Sequence, residues 1–200
     1  MQRIHLNFDH QKATQALNYL AIKSGGRINK MKALKLIYFA DRYHLRKYAR
    51  LITNDIYLAM EYGPVPSGVK DLAESSGFLG VSERKYSAKY IAPINKYAFK
   101  SIEAVDEAVF SRSDIEALDF AWESFGQLDK YALAGLTHKY PEWLKHKTAL
   151  KMEPRIQMSF FDFFDDPVAR INKCFELSAK DKVVRKEQLE EMGLIEALWR

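Results

Sequence analysis

Apolar residues recur at Ala13, Ala16, Leu17, Leu20 and Ala21, a spacing of three and four that lines one face of a helix. Asp9 stands where an N-cap is needed, Phe8 and Ala13 are placed as a hydrophobic staple, and Gly25-Gly26 offers a left-handed exit. The pattern predicts a helix over about 9–24. A second follows from about Asn29 to Tyr48, with Leu34, Ile37, Tyr38, Leu45 and Tyr48 on one stripe and Leu36, Phe39, Ala40 and Tyr43 widening it. Apolar positions so broadly distributed predict burial of its first half almost all round. Asp41 falls on the main stripe, where a carboxylate costs several kcal/mol unless it is bonded, so it is expected to have a dedicated partner.

From Ile56 to Tyr62 the residues alternate and favour β structure, predicting a strand that stops at Gly63-Pro64-Val65-Pro66. Two prolines one residue apart impose an extended path, and Ser67 can then cap a short helix through Leu72 to Ser76 that Gly77 closes. Between Phe78 and Ala104 the periodicity weakens. Tyr86, Tyr90, Ile91, Tyr97, Phe99 and Ile102 suggest short strands of a small antiparallel sheet, broken at Pro93-Ile94-Asn95. Ser113-Asp114-Ile115-Glu116 reads as a capping box opening a helix through Ile115, Leu118, Trp122 and Phe125 to Gly126. Asp129 is placed to cap another short helix through Leu136, and Pro141 to open the turn that carries Trp143. A phenylalanine-rich acidic run, Phe160 to Asp166, precedes a mixed-charge helical region. The whole reads as one mainly α-helical α+β domain over 1–200, with 150–200 as a helical extension.

Two hundred residues, 48% hydrophobic and 28% charged, suffice for a buried core without disulfides and exclude disorder as the main state. No apolar run long enough for a membrane span is present, and the expectation is a cytoplasmic protein with no membrane partner. The net charge of +5 is unevenly spread, with 17 basic and 7 acidic residues in 1–100 against 14 and 19 in 101–200. A basic half can meet nucleic acid or an acidic protein, or it can pair with the acidic half of its own fold. Residues 23–50 hold nine basic groups against Asp41 alone, and Lys35, Arg42, Arg46 and Arg50 are spaced to share one side of the second helix.

Candidate chemistry is sparse. No Walker-type loop, dinucleotide fingerprint, zincin helix, paired-cysteine motif, calcium loop or nucleophile elbow occurs. The histidines, His5, His10, His44, His138 and His146, include no pair four apart on one helix. The lone Cys174 lies in an apolar stretch and reads as a small hydrophobe. Asp162, Asp165 and Asp166 could hold a divalent cation, but Asp166 before Pro167 better fits a helix N-cap. These residues predict no catalytic site, no cofactor and no resident metal. Asp41 reads as a structural aspartate, and the four phenylalanines of Phe160–Phe164 as packed onto their own domain.

The order of features carries more than any single one. The run Leu34-Lys35-Leu36-Ile37-Tyr38-Phe39-Ala40-Asp41-Arg42 with Leu45 and Tyr48, then Ile52-Thr53 and Asp55, then Tyr62-Gly63-Pro64-Val65-Pro66-Ser67 and Leu72, resembles the Panacea domain of the SocA-like, phage-associated antitoxins. A second block, Asp114 to Leu118, then Leu133, His138 and Pro141-Glu142-Trp143, is similar to the carboxy-terminal half of that domain. The resemblance covers about 28–146. It implies a non-enzymatic antitoxin that neutralises a toxin encoded beside it, usually by direct contact, and in one member by presenting the toxin to a AAA+ protease. Some relatives carry an appended DNA-binding helix-turn-helix, for which no room is expected before Asp9.

Of the positions carried over from the resemblance, Leu36, Tyr38, Asp41, Gly63, Pro64 and Pro66 read as scaffold. Toxin recognition is expected near the Gly63–Pro66 turn, at Tyr62 and Val65, together with Arg42, Arg46 and Arg50 as exposed cations, because a rigid turn presents side chains at low entropic cost. The run Phe160 to Asp166 is the second candidate surface. The alternative reading is a basic nucleic-acid-binding regulator using the cationic helix.

Overall fold

A computed structural model describes residues 4–167 and 176–198. Asp9 accepts the Lys12 amide at 2.9 Å and opens α1 (His10–Lys23), which ends before Gly25 and Gly26, both at positive φ. A short strand β1 (Arg27–Asn29) leads into α2 (Lys30–Tyr48), whose first turn is capped by the Asn29 side chain. The pattern read from sequence places both helices to within a residue or two. Every residue of α2 from Ala33 to Arg42 is buried, so this helix is the axis of the core. Across it lies α5 (Arg112–Phe125), with Phe39 stacked on Phe125 at 4.1 Å and Tyr43 on Phe120 at 4.2 Å.

The predicted strand is shorter than expected, β2 (Tyr57–Met60), and the two-proline segment is itself a strand, β3 (Gly63–Pro66), paired antiparallel with it. β3 lies at the edge of a sheet ordered β3-β2-β6, with β6 spanning Ile156–Gln157, and an edge is where a strand tolerates residues that lack a backbone donor. The second sheet, ordered β1-β5-β4, contains the hairpin β4 (Ile91–Asn95) and β5 (Ala98–Ser101). Among the described residues, two small antiparallel sheets therefore replace the one expected.

Three local readings are corrected. Ser67 does not cap α3 (Ser67–Glu74); the Asp55 carboxylate, thirteen and fourteen residues back, accepts the Gly68 and Val69 amides at 2.9 and 2.8 Å, and Ser75 rather than Gly77 takes the left-handed exit. Tyr86 and Tyr90 do not belong to strands but to a helix, α4 (Val81–Tyr90), where a separation of four brings their rings to 5.1 Å. The capping box of α5 is Ser111 with Asp114, two residues earlier than read, which frees Ser113 to bond His44 and Glu116 to bond Tyr43, Tyr48 and Lys47.

Asp129 caps α6 (Lys130–Thr137), and Pro141 opens α7 (Pro141–Leu144), as expected. The Phe160–Phe164 segment forms a 3-10 turn whose Phe160, Phe163 and Phe164 are buried against α2, β2 and each other, so its aromatic side faces its own domain. A last helix, α8 (Ala179–Leu198), is anchored by the fully buried Leu189. Cys174 and the helix expected to follow Pro167 lie outside the described residues.

Candidate partner-binding groove

The candidate site is built on a hairpin turn, and the turn is held from beneath. Between Met60 and Gly63 the chain reverses through Glu61 and Tyr62, with Gly63 at φ 95°, a left-handed conformation that a side chain resists. A Cβ at Gly63 would also lie 2.2 Å from Thr137 Oγ1 and 3.3 Å from Lys35 Nζ. Lys35 is 1% exposed and donates to the Pro64 carbonyl at 2.6 Å. On the other side Trp143 Nε1 donates to the Met60 carbonyl at 2.9 Å, and His138 stacks on the Trp143 ring at 3.8 Å. Residues of α2, α6 and α7 thus pin one turn from several directions, and it projects Tyr62 outward at 52% exposure.

Burial lowers the Lys35 amine to about 7. Between that value and its ordinary 10.5 the unfolded chain holds a proton that the folded chain lacks, so this lysine makes stability rise with pH across that window. Lys35→Met removes the effect. Compared by urea denaturation, the stability of the wild type is expected to rise relative to the variant by about 2–4 kcal/mol between pH 7 and pH 10. Parallel curves would mean that Lys35 keeps its proton inside the fold.

Beneath this level lies the rest of the polar framework. Asp41 is fully buried and accepts from the Ile52 amide at 2.6 Å, Thr53 Oγ1 at 2.7 Å and Tyr57 OH at 2.8 Å, fixing the chain that leaves α2 for β2. Its pKa is raised by burial, against the lowering effect of those same bonds. Glu142, also fully buried, accepts from Tyr38 OH and Arg42 Nε, each at 2.6 Å. Arg42 further donates to the Asp165 carbonyl at 2.8 Å and lies 4.5 Å above the Tyr140 ring.

The expectation that Arg42 and Arg46 are exposed is therefore corrected. They are 2% and 1% exposed, because α2 runs through the core and their guanidinium groups are taken up by Glu142, the Phe163 and Asp165 carbonyls and Asp166. With Lys35 they remove three of the four cations from the proposed basic stripe, leaving Arg50 exposed. Val65 is buried at 9%, so of the turn residues expected at a contact, Tyr62 is the one that offers a large exposed side chain. Leu36 and Tyr38 are fully buried, and Pro64 and Pro66 are buried in β3. Asp162, Asp165 and Asp166 do not converge. They pair with Lys145, Lys186, and Arg46 with Lys182 respectively, and no cluster of three potential metal ligands exists among the described residues.

Beside Tyr62 lies a cavity of about 630 Å³. Met31 and Leu34, from the first turns of α2, line it with apolar surface, and Glu74 at the end of α3 adds a carboxylate to the lining. The tip of the β4–β5 hairpin brings Lys96 and Tyr97; the first turn of α6 brings Lys130 and Tyr131; the first residue of α2 brings Lys30. Tyr97 and Tyr131 are 62% and 63% exposed. The Lys130 ammonium sits 4.9 Å above the Tyr131 ring and 5.8 Å above Tyr97, while Lys96 sits 5.7 Å above Tyr97. Each lysine directly follows a residue whose side chain fixes the local turn. Asn29 bonds the Lys32 amide, Asn95 the Tyr97 and Ala98 amides, and Asp129 the Tyr131 and Ala132 amides. Sequence reasoning finds Tyr62 but misses the other groove residues, whose available signal is this repeated Asx-Lys pair, twice followed by tyrosine.

Fold and site together define a small α+β domain in which two sequence blocks brace one turn beside an aromatic, cationic groove. Residues 34–144 match the family model described as antitoxin SocA-like, Panacea domain. This is more than half of the chain, and the chain belongs to that family; an antitoxin role is what the membership suggests. Comparison with curated proteins and with solved structures gives no match. Among the described residues, no helix is long and apolar enough to cross a membrane.

Proposed function

We propose that this protein is a non-enzymatic, cytoplasmic antitoxin that neutralises a toxin encoded beside it by direct protein–protein contact, with the groove at Tyr62, Tyr97 and Tyr131 as the contact surface. One observation carries the reading: within the span matched to the antitoxin family, Lys35, Thr137 and Trp143, the last stacked on His138, all meet the turn that presents Tyr62. Buried hydrogen bonds from Lys35 and Trp143 hold that turn in place, so little side-chain or loop ordering remains to oppose association. Exposed tyrosines suit such a surface, since they supply large contact area at low rotamer cost.

The test is a growth assay in which the adjacent open reading frame is induced alone and then together with this protein. The expected result is arrest in the first case, rescue in the second, and recovery of both proteins in one complex. Rescue without a complex, accompanied by falling toxin levels, would replace blocking by delivery to a AAA+ protease. Absence of arrest from any neighbouring frame would remove the antitoxin reading.

A further inference from the structure

We infer that the groove takes an acidic, extended segment of the partner, one large apolar side chain seated on Met31 and Leu34 and carboxylates on either side meeting Lys30, Lys96 and Lys130. The inference rests on the reading of the groove as the contact surface and names what fills it. Its volume, about 630 Å³, falls within the roughly 300–1,000 Å³ of clefts that hold a ligand.

The electrostatics select the sign of the occupant. Lys30, Lys96 and Lys130 form no ion pair among the described residues, whereas Glu74, the one acid in the lining, is already engaged by Lys70 at 2.8 Å. Three cations without an ion pair of their own thus line a groove that also holds Met31 and Leu34. Lys30 and Lys130 also stand at the first positions of α2 and α6, where the helix ends add positive potential. A carboxylate entering here exchanges the water on these ammonium groups for charge-assisted bonds. The same features select peptide over nucleic acid. A phosphate backbone needs a track of cations, while the lining of this groove sets the Glu74 carboxylate and the apolar Met31 and Leu34 among its lysines.

The probe is a random twelve-residue peptide library displayed on phage, panned on the wild-type protein and on Lys30→Glu/Lys96→Glu/Lys130→Glu. Acids at the first turn of a helix are favourable, so the variant is expected to fold with an unchanged melting midpoint. Lys30→Gln/Lys96→Gln/Lys130→Gln removes the charge without reversing it and serves as the second variant. Selected peptides should carry Asp or Glu flanking Leu, Ile, Met, Phe or Trp, bind the wild type at least tenfold better than the glutamine variant, and fail to bind the glutamate variant. Three results would overturn the inference: selection of neutral or basic peptides or of none, equal binding to all three proteins, or displacement of the selected peptide by a twenty-nucleotide uridine oligomer. Failure here is separable from failure of the antitoxin reading. If the glutamate variant still rescues growth, the groove is not the contact while the antitoxin role stands; if acidic peptides bind the groove but wild type rescues nothing, the role falls and the groove chemistry remains.

Discussion

Glu142→Ala is expected to lower the stability of the fold by about 3–5 kcal/mol, enough to deplete the folded protein in cells. Glu142 is 0% exposed and is the carboxylate partner of Arg42, itself 2% exposed. Removing it leaves a buried guanidinium with one carbonyl, that of Asp165, and the face of Tyr140, and leaves the Tyr38 hydroxyl without its acceptor. The loss measures an uncompensated charge rather than the worth of the pair, and a second variant separates the two. Arg42→Met/Glu142→Leu removes both charges and keeps most of the volume, and it is expected to recover at least half of the stability lost by the single variant. Urea denaturation followed by tryptophan fluorescence reads both. A single variant within about 1 kcal/mol of wild type would show that the pair is not a brace.

Asp41→Ala is expected to cost a similar amount, about 3–5 kcal/mol, for a different reason. It strands the Ile52 amide and the hydroxyls of Thr53 and Tyr57 in an interior from which water is excluded. Asp41→Asn keeps an oxygen for the Ile52 amide and an amide that the two hydroxyls can turn to meet, so about half of the loss should return. Equal melting midpoints for the alanine and asparagine variants would contradict this, because they would mean that the hydrogen bonds contribute nothing beyond volume.

Much of the fold is legible in the sequence where its determinants are local. Asp9, Asn29 and Asp129 announce their helices because a cap acts over three residues, and the breadth of the apolar stripe in α2 announces its burial. Local signals mislead where two readings share them. A tyrosine pair four apart fits a helix as well as two short strands, and overlapping serine–acid boxes hide which one opens α5. The arginines of α2 are the instructive failure. By composition they form a cationic face, yet Glu142 lies 100 residues away and the Asp165 carbonyl 123, and nothing near Arg42 in the chain signals either. Asp41, in contrast, finds its donors eleven to sixteen residues on, and its position among apolar residues already requires them.

The same distinction explains the site. Tyr62 is legible because it adjoins a turn rigid by composition, with two prolines and a glycine at positive φ. The groove is not, because Lys30, Lys96 and Lys130 come from three separated turns that the packing of α2, α6 and the β4–β5 hairpin brings together. The residues that carry the family resemblance, Leu36, Tyr38, Asp41, Gly63, Pro64 and Pro66, are buried, so they brace the turn from behind rather than meet a partner.

The central claim is most directly tested by mixing the purified protein with its purified neighbour-encoded partner and measuring their affinity by titration calorimetry, for the wild type and for Lys30→Glu/Lys96→Glu/Lys130→Glu. A stoichiometric complex weakened at least a hundredfold by the charge reversal, with the melting midpoint of the variant unchanged, is the predicted result. A complex of undiminished affinity would place recognition elsewhere on the surface, and no complex between two folded, functional proteins would contradict neutralisation by direct contact.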